Sequence, residues 1–455
     1  MDQWAGVVLA AGEGKRMNSR VSKVLHQVCG KELVRYPVEL LRELGVQQVV
    51  VVVSPSNAAG VQALFGDTVE YVTQEEALGT GDALNRAKHL LDGQFPHLLV
   101  MGSDAPLVRL HSVKPLMESH LDSSNDMTFL TAHAATAQDL GRVVRDPEGR
   151  VTSIVEAAES RDDSGEPAEI NVGVYCFSTK WLWENIGGVG PGSPGGDQER
   201  YITALAAIGA GADARIETGV TADPDDLQGV NNRLQLSQVE EVQRRRIREH
   251  WMLAGVTMPD PASVYIDADV KIGQDTVILP NTMILGRSEI GEDCQIGPSS
   301  IIRDSKIGNH CRATASMLEE AVMEDSVDIG PFSHLRPGAY VESGVHIGNF
   351  VEVKESRFAA GAVMGHFGYV GDASIGAQAN LGAGMVTCNY DGRDKHRTNI
   401  GAGAFIGCDT MLVAPVTVGA EATTGAGAVV TKDVPPGRLA VGVPAKITDR
   451  RTKTN

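Results

Sequence analysis

Beyond residue 261, aliphatic side chains recur at every sixth position in several long runs. The spacing holds over 329–353 and 400–418, and its longest uninterrupted run comprises Ile272, Ile278, Ile284, Ile290, Ile296 and Ile302. If about a fifth of all positions were aliphatic, six in a row would occur by chance in roughly one register per ten thousand. Such a repeat is typical of a parallel β-helix, in which each hexad forms one side of a triangular coil and its aliphatic residue fills the axis. We therefore predict a stack of about ten coils.

Two segments interrupt this spacing and are therefore candidates for function. The first, 355–370, contains the string Gly365-His366-Phe367-Gly368-Tyr369, and the second, 387–399, is rich in polar residues. Interruptions of a solenoid generally form loops on one face, which is often the binding face. We expect both segments to form loops of that kind.

The front of the chain follows a different pattern, in which short β-branched runs alternate with helical stretches. Candidate strands cover 6–10, 49–53, 98–101 and 126–130. This alternation predicts an α/β domain whose mostly parallel sheet is covered by helices and binds ligands at the carboxyl ends of its strands. Because a helical stretch separates the two patterns, we predict a front domain (1–233), a linker helix (234–254) and a rear domain (255–455).

Composition and charge restrict the partners of such a chain. With 58 acidic against 40 basic residues, the formal net charge is −18, which argues against nucleic acid as the main partner. The apolar runs are far shorter than the ~20 residues that a membrane-spanning helix needs, so we expect no membrane partner. The six cysteines are scattered without a CxxC pair, which favours reduced thiols and a cytoplasmic location.

A glycine-rich string, Leu9-Ala-Ala-Gly-Glu-Gly-Lys-Arg-Met17, follows the first candidate strand. Gly12 and Gly14 would let the backbone approach phosphates, and Arg16 with Lys23 would supply mobile positive charge. The string does not match the dinucleotide-binding fingerprint, because its last residue is methionine where that fingerprint requires glycine. On its own, a glycine turn is usually only a structural feature.

The complete nine-residue string resembles the signature of sugar-1-phosphate nucleotidyltransferases. Further motifs match in that family's order: Gln74 with Leu78-Gly-Thr-Gly-Asp82, Gly102-Ser-Asp-Ala-Pro-Leu107, Gly141-Arg142, Val155-Glu156, Glu169-Ile-Asn171 and Gly229-Val-Asn-Asn-Arg-Leu-Gln-Leu236. With the hexad repeat behind them, these motifs make the whole chain similar to the bacterial bifunctional N-acetylglucosamine-1-phosphate uridylyltransferases/glucosamine-1-phosphate N-acetyltransferases. The resemblance implies a Rossmann-like nucleotidyltransferase domain followed by a left-handed parallel β-helix of hexapeptide repeats.

The resemblance also implies roles for residues of the front domain. Asp104 and Asn231 are expected to hold Mg²⁺, which takes oxygen ligands and retains waters, although an isolated Asp after a strand is often only a cap. The sugar phosphate would attack the α-phosphorus of UTP and release pyrophosphate, with Arg16 and Lys23 as catalytic cations. The expected UDP-N-acetylglucosamine-binding residues are Leu9, Ala10, Ala11, Gly12, Lys23, Gln74, Gly79, Thr80, Gly102, Ser103, Asp104, Gly141, Glu156, Asn171 and Asn231.

In the rear domain, acetyl transfer to an amine needs a base. A neutral imidazole is available near pH 7, and the family's site matches at Gly365-His366, so His366 is expected to be catalytic with Glu352 supporting it. The resemblance implies that glucosamine phosphate is bound by Arg336, Lys354, Tyr369, Asn380 and Lys395. It implies that acetyl-CoA is bound by Ala383, Asn389, Tyr390, Cys408 and Ala426, with Asn389 orienting the amine and the Tyr390 backbone N–H facing the oxyanion.

The chain departs from the family pattern at a few positions. Lys15 stands where the family usually has Thr, and Ser22 replaces the usual Pro before Lys23. Cys408 replaces the usual Ser, which exchanges a good hydrogen-bond partner for a weak one. The carboxyl-terminal tail lacks the arginine that often binds acetyl-CoA, and we hypothesise that Lys446 or Arg450 replaces it.

Three functions are compatible with these motifs. The first is a two-site enzyme that acetylates glucosamine 1-phosphate and then uridylylates the product, as a homotrimer by analogy. The second is a sugar-1-phosphate nucleotidyltransferase whose β-helix is only an oligomerisation stalk. The third is a non-catalytic assembly subunit. The sequence favours the first, because a stalk would not need His366 or Lys354 and an assembly subunit would not need Asp104. It leaves open the preference for uridine over thymidine nucleotides and the trimer itself.

Overall fold

The structure is a computed structural model that describes residues 3–134, 140–156, 168–190 and 199–449. It divides into two compact units, Met1–Gln243 and Arg244–Asn455. The division falls within the long helix Arg233–Leu253, so the predicted boundaries at 233/234 and 254/255 stay predictions. Within the described ranges, no helix has both the length and the apolar character needed to cross a membrane.

The front unit is built on one mixed sheet. Its strands, with the small hairpin β2–β3, are β1 Trp4–Leu9, β2 Gln27–Val28, β3 Lys31–Glu32, β4 Gln48–Val53, β5 Glu70–Thr73, β6 His97–Gly102, β7 Met127–Ala134, β8 Arg142–Arg145, β9 Val151–Val155, β10 Ala168–Ser178 and β11 Ile216–Val220. The main order is β11-β7-β10-β6-β1-β4-β5, in which only the two pairings of β10 are antiparallel. The predicted mostly parallel sheet is therefore confirmed.

Helices cover both faces of this sheet. They are α1 Arg35–Glu43, α2 Ala58–Phe65, α3 Thr80–Arg86, α4 Lys88–Leu91, α5 Leu110–Asp122, α6 Thr179–Asn185 and α7 Ala204–Gly211. The long helix α8, Arg233–Leu253, follows them and contains the division between the two units. The valine run of β4 shows why this segment is a central strand: Val51 and Val53 belong to the apolar core on one face, and Val50 and Val52 to the core on the other. A strand that is buried on both faces has no polar side, so its sequence is continuously apolar.

The rear unit is a parallel β-helix with three flat faces. Face 1 consists of Tyr265–Ile266, Met283–Leu285, Ile301–Arg303, Met317–Glu319, His334–Leu335, Val351–Lys354, Gly368–Gly371, Val386–Cys388, Met411–Val413 and Val429–Val430. Face 2 consists of Lys271–Ile272, Glu289–Ile290, Lys306–Ile307, Val322–Met323, Tyr340–Val341, Arg357–Phe358, Ala373–Ile375, Thr398–Ile400 and Val416–Val418. Face 3 consists of Val277–Ile278, Gln295–Ile296, Arg312–Ala313, Asp328–Ile329, His346–Ile347, Val363–Met364, Asn380–Leu381, Phe405–Ile406, Thr423–Thr424, Leu439–Gly442 and the antiparallel Ala445–Thr448.

The six-residue repeat fills the axis of this helix, as predicted. The residues of the run from Ile272 to Ile302 are each at most 7% exposed and belong to a single apolar core that extends along the coils. Successive members lie on faces 2, 3 and 1 in turn, so every third one stacks on the next coil. The fold is thus the left-handed parallel β-helix of hexapeptide repeats that the resemblance implies.

The first interruption, 355–370, does not form a loop, and that prediction was wrong. The step from Val353 to the next axial residue, Phe358, is five residues instead of six, and Phe358, Met364 and Val370 continue along the axis fully buried. One corner is shorter by a residue, and an aromatic ring and a thioether replace aliphatic side chains, so the coil continues where the aliphatic pattern stops. His366 therefore stands at a corner of an intact coil.

The second interruption does form a loop, as predicted. Residues 389–397 leave the coil between Val386–Cys388 of face 1 and Thr398–Ile400 of face 2. An antiparallel bridge between Tyr390 and Lys395 closes the loop. The Asp391 carboxylate accepts backbone N–H groups of Arg393 and Asp394, each at 2.8 Å. The excursion is thus an ordered projection of the coil.

Two candidate active sites

The front unit contains a cleft of about 530 Å³ at the carboxyl ends of β1, β5 and β6. Because these strands are parallel through β4, the segments that follow them reach the same edge of the sheet. The cleft is lined by Leu9, Ala11, Gly12, Arg16, Lys23, Gln74, Gly79, Thr80, Gly102, Ser103, Asp104, Gly141, Glu156, Asn171 and Asn231. The structure thus brings together all the front residues predicted from the sequence, with one exception.

The exception is Ala10, which lies behind the cleft wall. Its side chain is fully buried, its N–H donates to the carbonyl of Val52 (2.9 Å), and its carbonyl accepts Nδ2 of Asn57 (2.8 Å). Both backbone groups are used inside the unit, so Ala10 supports the glycine turn and does not line the site. Asn57 is a buried polar residue that supports the glycine turn through Ala10, and the sequence did not reveal it.

The glycine turn begins at Gly14, whose φ of 65° lies in the left-handed region that favours glycine. A Cβ at this position would lie 2.6 Å from Cβ of Lys23, so the absent side chain lets the turn pack directly against that lysine. The turn Lys15–Met17 follows and directs Arg16 to the cleft. Lys15 is paired with Glu13 at 2.6 Å and is strongly exposed.

Lys23 links the two expected metal ligands. Its Nζ donates to Oδ2 of Asp104 at 2.7 Å and to Oδ1 of Asn231 at 3.0 Å. Burial alone would raise the pKa of the Asp104 carboxyl, but the charge and hydrogen bond of Lys23 outweigh it and hold that pKa below its ordinary value. A carboxylate and an amide oxygen thus converge on one cation, a donor set that fits Mg²⁺ completed by waters and phosphate oxygens.

Three further residues, two of which line the cleft and one of which lies behind it, were not predicted as site residues from the sequence. Tyr175 accepts Nδ2 of Asn171 at its hydroxyl (2.6 Å), and Thr203 donates its hydroxyl to Oε1 of Glu156 (2.6 Å). Neither belongs to a motif, and Thr203 reaches its partner across 47 residues. The third, Asp82, accepts Nε2 of Gln74 at 2.8 Å and closes the motif 78–82, a signal that could have identified it.

In the rear unit, the expected sugar-phosphate residues other than Asn380 gather on face 1. Glu352 is in register with Tyr369 on the next coil, and Arg336 donates to Oε1 of Glu352 at 2.6 Å. The neighbouring Lys354 ammonium lowers the pKa of Lys395, which reaches face 1 from the loop 389–397. Two ammonium groups placed side by side favour an anion between them. The face therefore presents a concentrated anion-binding surface.

Asn389 joins this group at the base of the loop. Its Nδ2 donates to Oδ2 of Asp372, and its carbonyl accepts the N–H of His396 at 2.7 Å. A Cβ at Gly371 would lie 2.3 Å from the Tyr369 hydroxyl and 2.8 Å from Nδ2 of Asn389. The glycine thus lets both side chains approach the same point on face 1. Tyr390 itself is exposed.

The second group of rear residues lines a groove of about 560 Å³ along face 3. The groove is lined by His366, Asn380, Ala383, Cys408 and Ala426. His366, Ala383, Cys408 and Ala426 each follow the axial residue of their coil by two positions, so they occupy the same corner of four successive coils. Asn380, expected on the sugar side, lies in this groove with His366.

Glu352 does not support His366 within the described part of the chain. Its carboxylate pairs with Arg336 on face 1, and we find no hydrogen bond between it and the imidazole over the described ranges. Lys446 is exposed in the last strand, Ala445–Thr448, and Arg450 lies outside the described residues. The expected rear residues are therefore arranged as a cationic face 1 and a groove on face 3.

Comparisons with known proteins agree with both halves of this architecture. A model of the nucleotidyl transferase family matches residues 5–197. The bacterial transferase hexapeptide model, which spans six repeats, matches residues 269–304. The first match extends from β1 to β10 of the front sheet and covers most of the cleft, and the second covers the early coils of the β-helix.

Curated relatives match nearly the whole chain. The bifunctional protein GlmU of Geobacillus sp. (strain WCH70) is 42% identical over 435 residues, which are 96% of this chain and 94% of that protein. GlmU of Trichlorobacter lovleyi is 41% identical over 440 residues (96% and 95%), and GlmU of Heliobacterium modesticaldum is 41% identical over 441 residues (97% and 96%). With both domains, both cavities and this degree of identity, the chain belongs to the family of bifunctional GlmU proteins.

Proposed function

We propose that this chain makes UDP-N-acetylglucosamine in two steps at two separate sites. The rear unit transfers an acetyl group from acetyl-CoA to the amine of glucosamine 1-phosphate, and the front unit transfers a uridylyl group from UTP to the product. The observation that carries the proposal is that one chain holds two different cavities, one with converging cation ligands and one with an imidazole.

At the front site, catalysis consists mainly of alignment and charge neutralisation. The phosphate of N-acetylglucosamine 1-phosphate attacks the α-phosphorus of UTP, the bond to the β-phosphate breaks, and pyrophosphate leaves. Lys23 and Arg16 line the cleft, and in this proposal they neutralise the negative charge that grows on the phosphate oxygens. Glu156 and Asn171 bind hydroxyl groups, and their orientations are fixed by Thr203 and Tyr175. The protein supplies no nucleophile in this reaction.

Asp104 and Asn231 are the residues that would hold Mg²⁺. When bound, the ion neutralises charge on the phosphates and orients them. Lys23 lies between these two oxygens in the structure and stabilises the ionised form of Asp104. A lysine that can move from Asp104 to a phosphate would keep the site's charge balanced before and after the nucleotide binds.

At the rear site, His366 accepts the proton that the amine loses as nitrogen attacks the thioester carbonyl. The thiolate of CoA then leaves and the amide bond is complete. Arg336, Lys354 and Lys395 bind the sugar phosphate, and Tyr369 positions the ring. Asn389 orients the amine, and the backbone N–H of Tyr390 is proposed to face the oxyanion.

We propose that the active form is a homotrimer. In support, the sugar-phosphate cations lie on face 1, whereas His366 and the groove of Ala383, Cys408 and Ala426 belong to face 3. A neighbouring copy can place its face 1 against this groove and complete the site. In that arrangement Glu352 could approach the His366 of another copy. The cytoplasmic location expected from the cysteines belongs to the same proposal.

One assay tests the two activities together. Glucosamine 1-phosphate, acetyl-CoA, UTP and Mg²⁺ are mixed with the protein in one reaction, and N-acetylglucosamine 1-phosphate, UTP and Mg²⁺ in a second, and free thiol and pyrophosphate are followed separately. His366→Ala should abolish thiol release while pyrophosphate still forms from N-acetylglucosamine 1-phosphate, and Asp104→Ala should do the reverse. Exposed His310→Ala and Asp122→Ala serve as matched controls that leave both signals intact.

The alternatives give different results in the same assay. If pyrophosphate forms but no thiol is released from the amine substrate, the β-helix is only an oligomerisation stalk. If neither product forms, the protein is an assembly subunit. The shared site is tested by mixing His366→Ala and Lys395→Met chains, denaturing and refolding them together. Partial recovery of thiol release supports a site built from two copies, whereas no recovery after verified exchange contradicts it.

A further inference from the structure

The amide of Gln74 has no donor left for a ligand. Its Nε2 carries two hydrogens, and they are directed to Oδ2 of Asp82 at 2.8 Å and to the carbonyl of Gly79 at 3.1 Å. Gln74 is 4% exposed and lines the front cleft. In the described structure its Oε1 has no hydrogen-bond partner, so this acceptor is the polar atom that the amide can offer to a bound molecule.

Chemistry fixes this orientation of the amide. A carboxylate and a carbonyl can only accept hydrogen bonds, so a flipped amide would direct Oε1 at two acceptors and lose both bonds. Asp82 is itself held, because Arg86 donates to both of its oxygens at 3.2 and 3.3 Å and Arg200 lies 3.9 Å away. Its side chain is only 3% exposed, so losing a hydrogen-bond partner would destabilise the folded protein.

The backbone around Asp82 is clamped as well. Arg200 accepts the N–H of Gly81 and donates its own N–H to Leu78, both at 2.7 Å. Gly79 has a φ of 97°, and a Cβ there would lie 2.6 Å from backbone atoms of Arg200. The segment 78–82 therefore cannot shift to let the Gln74 amide turn over.

We propose that Asp82 is a positioning residue that sets nucleobase specificity by locking Gln74 as a hydrogen-bond acceptor. This inference rests on the proposed nucleotidyl transfer. Gln74 is one of the residues expected to bind the nucleotide, and in this proposal the base lies against its Oε1. Uracil presents an N–H donor at N3, which matches Oε1, whereas cytosine presents an unprotonated N3, so that two lone pairs would face each other. A mobile glutamine would rotate and bind either base. The locked one selects the nucleotide whose base donates at N3.

The test compares UTP with CTP in pyrophosphate release from N-acetylglucosamine 1-phosphate. Asp82→Asn replaces one of the two acceptors that fix the Gln74 amide with a side chain that can also donate, so that only the Gly79 carbonyl still opposes a flip. The ratio of kcat/KM for UTP to that for CTP should fall roughly 10- to 100-fold from the wild-type value. Asp92→Asn removes the same charge from the same stretch of surface without contacting Gln74, and its ratio should equal that of the wild type. Acetyl transfer by each variant reports whether the chain is intact.

The outcomes separate this inference from the proposed function. If Asp82→Asn lowers turnover of UTP and CTP equally, Asp82 is merely structural and the inference is wrong. A wild-type protein that uses CTP as well as UTP also overturns it while leaving nucleotidyl transfer in place, and this measurement needs no variant. Absence of pyrophosphate with every nucleotide would instead remove the proposed function. Should Asp82→Asn not accumulate, Asp82→Ser gives the same prediction because a hydroxyl also donates and accepts.

Discussion

The ammonium group of Lys23 lies 2.7 Å from the carboxylate of Asp104 although 81 residues separate them in the sequence. The pair joins the glycine turn after β1 to the segment after β6, and Asn231 completes it from a third part of the chain. The cation and the expected metal ligand thus lie within one hydrogen bond of each other in the cleft where nucleotidyl transfer is proposed.

Removing this cation should impair the front site alone. For Lys23→Met we expect kcat/KM for UTP to fall about 100- to 1,000-fold, because a charge aimed at the transition state is lost from a partly buried cleft. Pyrophosphate release measures the effect. Lys114→Met, at an exposed position of α5, should match the wild type, and thiol release should be unchanged in both. An equal fall of both activities in Lys23→Met would point to misfolding and contradict the assignment.

The two adjacent lysines on face 1 predict a specific defect in sugar binding. Lys395→Met should raise the KM for glucosamine 1-phosphate roughly 10- to 100-fold and leave the KM for acetyl-CoA unchanged, since a charged hydrogen bond to phosphate is lost. Because Lys354 lowers the pKa of Lys395, Lys354→Met should shift that pKa upward, which NMR of labelled lysine can follow. A rise in the acetyl-CoA KM instead would place Lys395 at the coenzyme.

Replacing the sulfur atom of Cys408 by oxygen should strengthen the binding of acetyl-CoA. The thiol is a weak hydrogen-bond partner at the third coil of the groove, and Cys408→Ser should lower the KM for acetyl-CoA about 2- to 10-fold. If Lys446 replaces the tail arginine, Lys446→Ala should raise the same KM, and an unchanged value would refute that hypothesis. Both are read from thiol release at varied acetyl-CoA.

A pair of neighbouring histidines, of which His120 is buried and His97 is half-buried, should make the front unit sensitive to acid. His120 is fully buried, with Nε2 3.3 Å from Nδ1 of His97 and Nδ1 2.9 Å from the Thr128 hydroxyl. Burial, with a smaller effect of His97, lowers the pKa of His120 to about 4 from 6.5. The neutral form is favoured in the folded state, so its stabilisation is complete above pH 6.5 and is lost as the pH falls towards 4.

The loss can reach about 3 kcal/mol at the acid end of that range. Urea unfolding followed by tryptophan fluorescence at pH 7.5 and 4.5 measures it, since Trp4 lies 5.1 and 5.4 Å from the two imidazole rings. His120→Gln should flatten the pH dependence, whereas exposed His111→Gln should keep it. Equal slopes for all three proteins would show that His120 does not carry the effect.

Phe358 should be essential for the rear unit although it breaks the aliphatic repeat. It is fully buried on the axis, so Phe358→Ala should lower the free energy of unfolding by about 3–5 kcal/mol through the cavity it leaves. Phe358→Leu should cost less than about 1.5 kcal/mol because it restores most of the packing. Exposed Phe332→Ala is the control. Calorimetry gives the three values, and similar losses for Phe358→Ala and Phe332→Ala would contradict the axial role.

The sequence predicted most of the front cleft because its residues sit in motifs directly after strands. Ala10 was misplaced, since a run of three residues after a strand does not tell which of them turns inward. Thr203 and Tyr175 could not be predicted, because their partners are fixed only when distant or bulged parts of the chain fold together. Asp82 was visible in its motif, but its hydrogen bond to Gln74 was not.

The rear unit was predictable where spacing alone decides the structure. The six-residue spacing predicted which residues fill the axis, and its second interruption predicted the projecting loop 389–397, because both depend only on the number of residues per coil. The segment 355–370 was misread because side-chain volume, not aliphatic character, is what the axis requires, and Phe358 and Met364 supply it. The ion pair between Glu352 and Arg336 depends on how side chains of successive coils are oriented on face 1, which the six-residue spacing does not predict.

The corner shared by His366, Ala383, Cys408 and Ala426 lets the coil spacing of the β-helix set the length of a ligand that binds along it. Successive coils are separated by the strand spacing of about 4.8 Å, so the three steps from His366 to Ala426 span roughly 14 Å. An elongated thioester lying along this corner would have its reactive end and its distal end set apart by a whole number of coils. Adding or deleting one complete coil would therefore change the length of the preferred acyl carrier in a single discrete increment.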